Sequence, residues 1–374
     1  MQITAPLTAD IERSSPIARS GRVMQLEGIF DVPPSERSAV SWHVSLPLHE
    51  RPWNIGLIVG PSGCGKTTIA KHLFGEAYVR GFEWDPSRSL VDDFPQDMSV
   101  KEITLLMSSV GFSSPPSWVR PFHVLSNGEQ FRAAMARSLA EMRDLCVMDE
   151  FTSVVDRTVA QLGSAAIAKT VRRRGQKFIA VTCHYDVEDW LDPDWVFEPA
   201  TNSFRWRLLR RRPAIELAIS RVHHSAWKLF APHHYLTRSL NPSARCFCAF
   251  IDERPVAFHA LLPFLGRLSS RKKAYRGHRC VVLPDFQGAG IGNALMTTDA
   301  SIFAALGYRV FRPTGHPAEI ASASRDPNWR MIRKPSMVGH DTDRRIARAT
   351  GRLTASFEFV GTPMPIDAAR AMVA

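Results

Sequence analysis

Apolar and polar positions follow two rhythms along this chain, and the changes of rhythm divide it. Ile55-Gly56-Leu57-Ile58-Val59 is a continuous apolar run, the pattern of a short strand buried on both faces. Ile69 to Phe74 follows and reads as a helix. Ser89 to Phe94 reads as another strand, Val100 to Val110 as a helix stopped by Gly111, and Ser113 to Pro121 as a proline-rich loop. Helix resumes at Glu129 and continues through Leu139. Two further apolar runs, Asp144 to Glu150 and Lys177 to Cys183, predict parallel strands, and Phe197 to Arg207 predicts a hairpin turning at Asn202. Upstream, Val23 to Leu48 alternates apolar and polar residues as an antiparallel flap would. Residues 1–22 are rich in Ser, Arg and Pro, show no period and read as a loose tail.

After Arg210-Arg211-Arg212-Pro213, which reads as a linker, the pattern restarts. A strand is expected from Ile215 and a helical region from Ser220 to Phe230, then an aromatic loop, Pro232-His233-His234-Tyr235-Leu236. Strands at Cys246 to Ile251 and Pro255 to Leu262 flank the polar turn Asp252-Glu253-Arg254. Arg279 to Pro284 is a further strand, Asn293 to Leu306 a helix stopped by Gly307, and Tyr308 to Arg312 the next strand. The expected fold class is α/β: a P-loop domain over 23–207 and a second α/β domain over 208–374.

Composition agrees with two cores. The chain has 374 residues, 45% apolar and 22% charged, as globular proteins do. No apolar run approaches the roughly 18–20 residues that span a bilayer, and Met1 to Val23 lacks a signal-peptide core, so a cytoplasmic protein is expected. The six cysteines suit a reducing compartment, and Cys246 and Cys248, two apart on a strand, face one side as small core residues. A net charge of +11 points to an anionic partner, nucleic acid first and a lipid surface second. Arg172 to Arg174, Arg205 to Arg212, Arg271 to Lys273 and Arg330 to Lys334 are the basic clusters.

The most specific chemistry is Gly60-Pro61-Ser62-Gly63-Cys64-Gly65-Lys66-Thr67-Thr68, placed between a strand and a helix. Glycines let successive N–H groups face one anion, and the new helix adds the positive end of its dipole. Lys66 would neutralise the β- and γ-phosphates and Thr67 would offer its hydroxyl to Mg²⁺, so ATP with Mg²⁺ is the expected ligand. The strand ending at Asp149-Glu150 delivers two carboxylates at a sheet's C-terminal edge. Asp149 would hold Mg²⁺ through water and Glu150 would polarise the attacking water. His184, ending the next parallel strand, would sit beside the γ-phosphate.

Leu125-Ser126-Asn127-Gly128-Glu129-Gln130 resembles the signature motif of ABC-class ATPases, usually written LSGGQ, with Asn127 and Glu129 departing from it. Gln96 matches that family's Q-loop, Asp149 and Glu150 its Walker B pair, Ser153 to Asp156 its D-loop, and His184 its switch histidine. The likeness covers roughly residues 23 to 205. It implies an ATP-dependent homodimer in which Ser126, Asn127, Gly128 and Glu129 complete the partner's site. It also implies a catalytic set of Glu150, His184 and Gln96, with Gln96 joining Thr67 and Asp149 around Mg²⁺. The span between Gln96 and Ser126 is short, whereas transport ATPases carry a larger helical insert there that docks on the membrane subunit.

In the second half, Asp285-Phe286-Gln287-Gly288-Ala289-Gly290-Ile291-Gly292 again joins a strand to a helix, and its N–H groups suit a pyrophosphate. No Lys-Ser/Thr follows, so it is not a second P-loop. It resembles motif A of GNAT-fold acyltransferases, with Gln287, Gly290 and Gly292 at the defining positions. The resemblance implies acetyl-CoA or another acyl-CoA bound by Gln287, Gly288, Ala289, Gly290, Ile291 and Gly292. The tyrosine this family often places after the next strand is missing, and His234, Tyr235 and His316 are the candidates for acid–base work. The His-His-Tyr loop and His316-Pro317 also resemble, more weakly, the Mom family of phage DNA-modifying enzymes. Three functions follow: an ATP-driven enzyme modifying nucleic acid, an ATP switch that only binds CoA or a partner, and a transporter ATPase subunit.

Overall fold

The computed structural model describes residues 4–207, 215–234, 238–264, 273–337 and 353–373. The expected linker Arg210 to Pro213, with Arg271 and Lys272, lies outside them. In chain order the elements are β1 Leu7–Pro16, α1 Gly21–Phe30, β2 Arg37–Leu46, β3 Ile55–Val59, α2 Lys66–Phe74, α3 Val100–Ser109, α4 Pro115–Trp118, α5 Asn127–Glu141, β4 Leu145–Met148, α6 Arg157–Arg174, β5 Lys177–Thr182, α7 Val187–Leu191, β6 Trp195–Glu198 and β7 Ser203–Trp206. They continue as β8 Ala218–Val222, α8 Trp227–Phe230, β9 Arg245–Ile251, β10 Arg254–Pro263, β11 Ala274–Val282, α9 Ile291–Ala305, β12 Arg309–Thr314, α10 Pro317–Ala323, β13 Trp329–Met337, β14 Leu353–Phe359 and α11 Ile366–Val373.

Two compact units result. The first comprises residues 1–81, 142–153 and 171–211; the second comprises 82–141, 154–170 and 212–374. This differs from the expected division at 207, because the segment carrying the signature sequence clusters with the C-terminal half.

The first unit is built on a five-stranded sheet in the order β4-β5-β3-β6-β7. β3 is buried along its whole length, with β5 and β6 parallel on either side, as its unbroken apolar run requires. β6 and β7 form the expected hairpin, and Asn202 takes a left-handed conformation in its turn. The loose tail expected over 1–22 is corrected: Leu7–Pro16 is a strand paired antiparallel with β2. Its alternate residues Leu7, Ala9 and Ile11, with Val44 and Leu46, pack into one core with Trp53, Ile69 and Phe74. The flap expected over Val23–Leu48 is half correct, since Gly21–Phe30 is a helix capped by the Ser20 side chain.

In the second unit, Ser89 to Phe94 is not the strand expected. Leu90–Asp93 is a single tight turn, held by the Leu90 N–H to Arg120 carbonyl bond and by Arg88 on the Asp92 carbonyl. Among the described residues no strand lies beside it to pair with those backbone groups. The main sheet has seven strands in the order β13-β14-β12-β11-β10-β9-β8. Every neighbouring pair is antiparallel except β11 and β12. These two are parallel and bonded only from Ala274–Arg309 to Arg276–Phe311. Beyond that point they part. β11 also carries a bulge opposite Ala260 and Leu261, a feature that re-aims side chains beside sites. One face of the sheet packs on α9 through Leu295, Met296, Ile302 and Phe303; the other packs on Trp227 and Phe230. Cys246 and Cys248 are buried in that second layer, as expected.

Candidate functional site

In the first unit β3 ends at Val59 and α2 begins at Lys66, so the loop lies at the C-terminal edge of the sheet. Gly63 and Gly65 have φ of 81° and 96°, where an L side chain costs about 1–2 kcal/mol. Gly65 caps the helix, and a Cβ there would stand 2.3 Å from the Trp42 indole. That indole also donates to the Cys64 carbonyl at 2.9 Å. Lys66 folds over the loop, its Nζ 2.9 Å from the Pro61 carbonyl. Thr67 and Thr68 occupy the first turn of α2.

Asp149 and Glu150 follow β4 at the same edge. The Tyr78 hydroxyl donates to Asp149 Oδ2 at 2.6 Å. Burial and that bond push the phenol's pKa up, so it stays a donor. Glu150 has φ 51°, a left-handed conformation uncommon for this residue type, and accepts from Ser153 Oγ at 2.7 Å. His184 follows β5, its N–H bonded to Thr182 Oγ1. Three neighbouring parallel strands thus deliver Lys66, the carboxylate pair and His184 to one edge. The donors fit a Mg²⁺–nucleotide: a hydroxyl at Thr67, a carboxylate at Asp149, a lysine, and backbone N–H groups in a glycine loop.

Gln96 belongs to the second unit, at the rim of an open cleft lined also by Trp84, Arg88, Asp92 and Arg137. So does the signature sequence, where α5 begins. Ser126 and Glu129 form a capping box: Ser126 N and Oγ both donate to Glu129 Oε2, at 3.0 and 3.1 Å. Glu129 thereby serves the helix start. Asn127 is exposed, whereas Gly128 is buried, and a Cβ on it would meet Asp285 Oδ1 at 2.7 Å. One turn on, Arg132 is almost wholly buried and donates from Nη2 to the Asp285 carbonyl at 2.7 Å.

The second glycine-rich turn packs on this same segment. Gln287 Oε1 accepts from the Ser113 N–H at 2.6 Å, while its Nε2 donates to the Val282 carbonyl at 3.0 Å. A Cβ on Gly288, which has φ 92°, would meet Gly111 Cα at 2.6 Å. Both polar atoms of the Gln287 side chain are therefore engaged within the protein. The later half of the turn is different. Gly290 caps α9 with φ 92°, is exposed, and has open space where a Cβ would stand. Ala289, Ile291 and Gly292 complete the helix start, whose N–H groups fit a pyrophosphate.

Where β11 and β12 part, a cavity of 250 Å³ opens, lined by His234, His259, His278, Cys280, Arg312, Thr314 and Glu319 among others. Burial first, then Arg279 and Arg276, hold His278 down at about 4. Arg312, nearly buried, bonds Glu319 Oε1 at 2.9 Å and Asn293 Oδ1 at 2.8 Å. Of the acid–base residues expected, His234 reaches this cavity. His316 is half-buried at the start of α10, its ring 6.1 Å from Trp118, and desolvation lowers its pKa. Tyr235 lies outside the described residues.

Sequence reasoning missed Trp42, Tyr78, Arg132, Asp285, His259 and Asp299. The last two carried a readable signal, a histidine inside an apolar strand and an aspartate inside an apolar helix stripe.

Two family models match. Residues 56–189 match the ATPase family associated with various cellular activities (AAA), and residues 205–315 match the acetyltransferase (GNAT) family. The chain joins an ABC-type ATPase domain to a GNAT domain. Relatives of the ATPase domain include a probable metal transport system ATP-binding protein of Chlamydia pneumoniae, 27% identical over 41% of this chain and 71% of its own length. The zinc transport system ATP-binding protein TroB of Treponema pallidum is 29% identical over 40% of this chain and 68% of its own length. The ribosome protection protein VmlR of Bacillus subtilis is 27% identical, but this chain spans only 21% of it. Among solved structures, a dimeric ATP-binding cassette bound to ADP and Pi shows 16% identity at a TM-score of 0.35, covering 43% of this chain and 89% of that one. Among the described residues no helix is long and apolar enough to cross a membrane.

Proposed function

We propose that this chain is an ATP-controlled, acyl-CoA-dependent transferase acting on nucleic acid or on an amine associated with it. The observation that carries this reading is the packing of the ATPase signature segment onto the GNAT acyl-CoA turn, through Arg132 to Asp285, Ser113 to Gln287 and Gly111 to Gly288. A ligand that moves one must disturb the other.

On the ATPase side, Gly60 to Thr68 would hold the phosphates, with Thr67, Asp149 and Gln96 around Mg²⁺. Glu150 would orient the attacking water and His184 would contact the γ-phosphate. Ser126 to Glu129 would meet the nucleotide of a second copy, making the closed form an ATP-dependent homodimer. On the GNAT side, backbone N–H groups of Gly288 to Gly292 would bind the CoA pyrophosphate. For the acceptor, the net charge of +11 and the exposed Arg333 and Lys334 on β13 favour a polyanion, and the Mom-like His-His-Tyr loop suggests a nucleobase amine.

The test measures acetyl-CoA affinity by calorimetry on the Glu150→Gln chain, with and without saturating ATP and Mg²⁺. Gel filtration on the same samples should show a dimer only with ATP. Binding linkage is reciprocal, so acetyl-CoA affinity should change several-fold with ATP. An affinity constant to within a factor of two would sink the coupling. A monomer at saturating ATP would sink the sandwich.

A transporter subunit is the second reading, favoured by the transport-system ATP-binding proteins among the relatives. Against it, α3 and α4, which occupy the position of a membrane-docking insert, pack on the GNAT domain: α3 on α10, and Trp118 of α4 on His316. Fractionation decides, because a transport subunit would sediment with membranes.

A further inference from the structure

We infer that His259 and Asp299 form the general-base dyad of the GNAT domain, poised in the gap between β11 and β12 to take the proton of an attacking amine. The inference rests on the acyltransferase reading above.

The geometry is that of a base and its orienting acid. His259 Nδ1 lies 2.8 Å from Asp299 Oδ2. Asp299 is 0% exposed and His259 4%. A carboxylate on Nδ1 requires that nitrogen to carry the proton, which leaves Nε2 with a lone pair. Nε2 is the nitrogen turned toward Gly277 of β11, 3.4 Å from where a Cβ there would stand, and His259 lines the cavity in the strand gap. The absence of a side chain at Gly277 keeps that approach open.

The pair also occupies positions that apolar residues would otherwise take. His259 lies between Ala257 and Leu261 on the face of β10 toward α9, and Asp299 lies among Leu295, Met296, Ile302 and Phe303. Burying two polar side chains there costs free energy, which a purely packing role would avoid. Burial raises Asp299 to about 6, against the pull of the His259 hydrogen bond, so the carboxylate is formed above that pH. Among the described residues, the charged and titratable groups lining the cavity with His259 are His278, Arg279 and Cys280 from β11, Arg312 from β12, Glu319 from α10, and His234.

The step balances. As the amine nitrogen bonds to the thioester carbonyl carbon, its proton passes to His259 Nε2, and Asp299 stabilises the imidazolium. The carbon–sulfur bond then breaks and the same proton goes to the departing sulfur. The products are an amide and CoA thiol, and His259 is again neutral. With water as acceptor the same sequence yields a carboxylic acid and CoA thiol, which makes a test independent of the natural acceptor.

The experiment uses the full chain in three forms: parent, His259→Gln and Asp299→Asn. Thermal melts confirm folding, calorimetry measures acetyl-CoA affinity, and thiol release from acetyl-CoA measures turnover between pH 5 and 9. His259→Gln should lower kcat about 100-fold or more while affinity stays within twofold. Asp299→Asn, which preserves the hydrogen-bonding shape, should lower kcat about 10-fold and move the acidic limb of the rate profile to lower pH. In the unliganded parent, nitrogen NMR should show His259 protonated at Nδ1 and bare at Nε2. Unchanged kcat in both variants overturns the dyad, as does an Nε2-protonated ring. So does a parent that binds acetyl-CoA yet releases no thiol above the buffer rate. Failure of the parent to bind acetyl-CoA at all overturns the acyltransferase reading beneath it instead.

Discussion

The two glycine-rich turns of this chain begin their helices in almost the same way. Gly65 caps α2 with φ 96° and ψ 6°, and Gly290 caps α9 with φ 92° and ψ 6°. Each follows a strand, and each turns backbone N–H groups toward whatever anion lies ahead of the helix. Their surroundings separate them. Gly65 is closed in by Trp42 and followed by a lysine, a threonine and, across the sheet edge, two carboxylates. Gly290 is open, no cation follows it, and the preceding Gln287 and Gly288 are pressed against Gly111 and Ser113. The shared backbone supports phosphate binding in general. In the proposed reading, the side chains brought in from elsewhere would separate a hydrolysed triphosphate from a pyrophosphate handle.

Four measurements break or sharpen that contrast. Lys66→Ala should lower ATP hydrolysis by about 10²–10³-fold, as loss of a preorganised charge does, and leave acetyl-CoA affinity untouched. Reduced acetyl-CoA binding in that variant would mean the turns are not separate sites. Gly290→Glu should cut acetyl-CoA affinity by about 100-fold, because it sets a carboxylate beside the pyrophosphate, while ATP hydrolysis persists. The alanine pair is a finer comparison. In urea unfolding, Gly65→Ala should cost about 2–4 kcal/mol, combining left-handed strain with the collision against Trp42, whereas Gly290→Ala should cost about 1–2 kcal/mol from strain alone. Equal costs would show that Trp42 yields freely. Smallest of all, Gln287→Ala should cost about 1 kcal/mol, the worth of an ordinary hydrogen bond, and weaken acetyl-CoA binding only a few-fold. A loss as large as that of Gly290→Glu would make the Gln287 side chain a direct ligand contact.

Much of this was legible from residue order because the physics is local. A strand, a glycine turn and a helix are neighbours along the chain, so both glycine-rich turns could be read directly. The apolar runs at Ile55 and Leu145 likewise announced strands buried on both faces. The errors lie where a partner decides. The alternation of Leu7, Ala9 and Ile11 has meaning only once β2 supplies a ladder, and Ser89 to Phe94 has strand-like residues but, among the described residues, no strand beside it. Glu129, a departure from the signature pattern, was intelligible only when its carboxylate was found closing on Ser126.

By itself, the sequence determined that the chain contains two glycine-rich turns, each between a strand and a helix, and two α/β cores. These depend on backbone freedom at a few glycines and on apolar periods of a few residues. Only the tertiary structure decided that the signature segment packs with the GNAT domain rather than with the P-loop unit. Only it brought His259 and Asp299 together, across 40 positions of chain, in the gap between two parting strands. Those outcomes depend on which faces cover one another, and burial between distant segments leaves no mark on the order of residues along either.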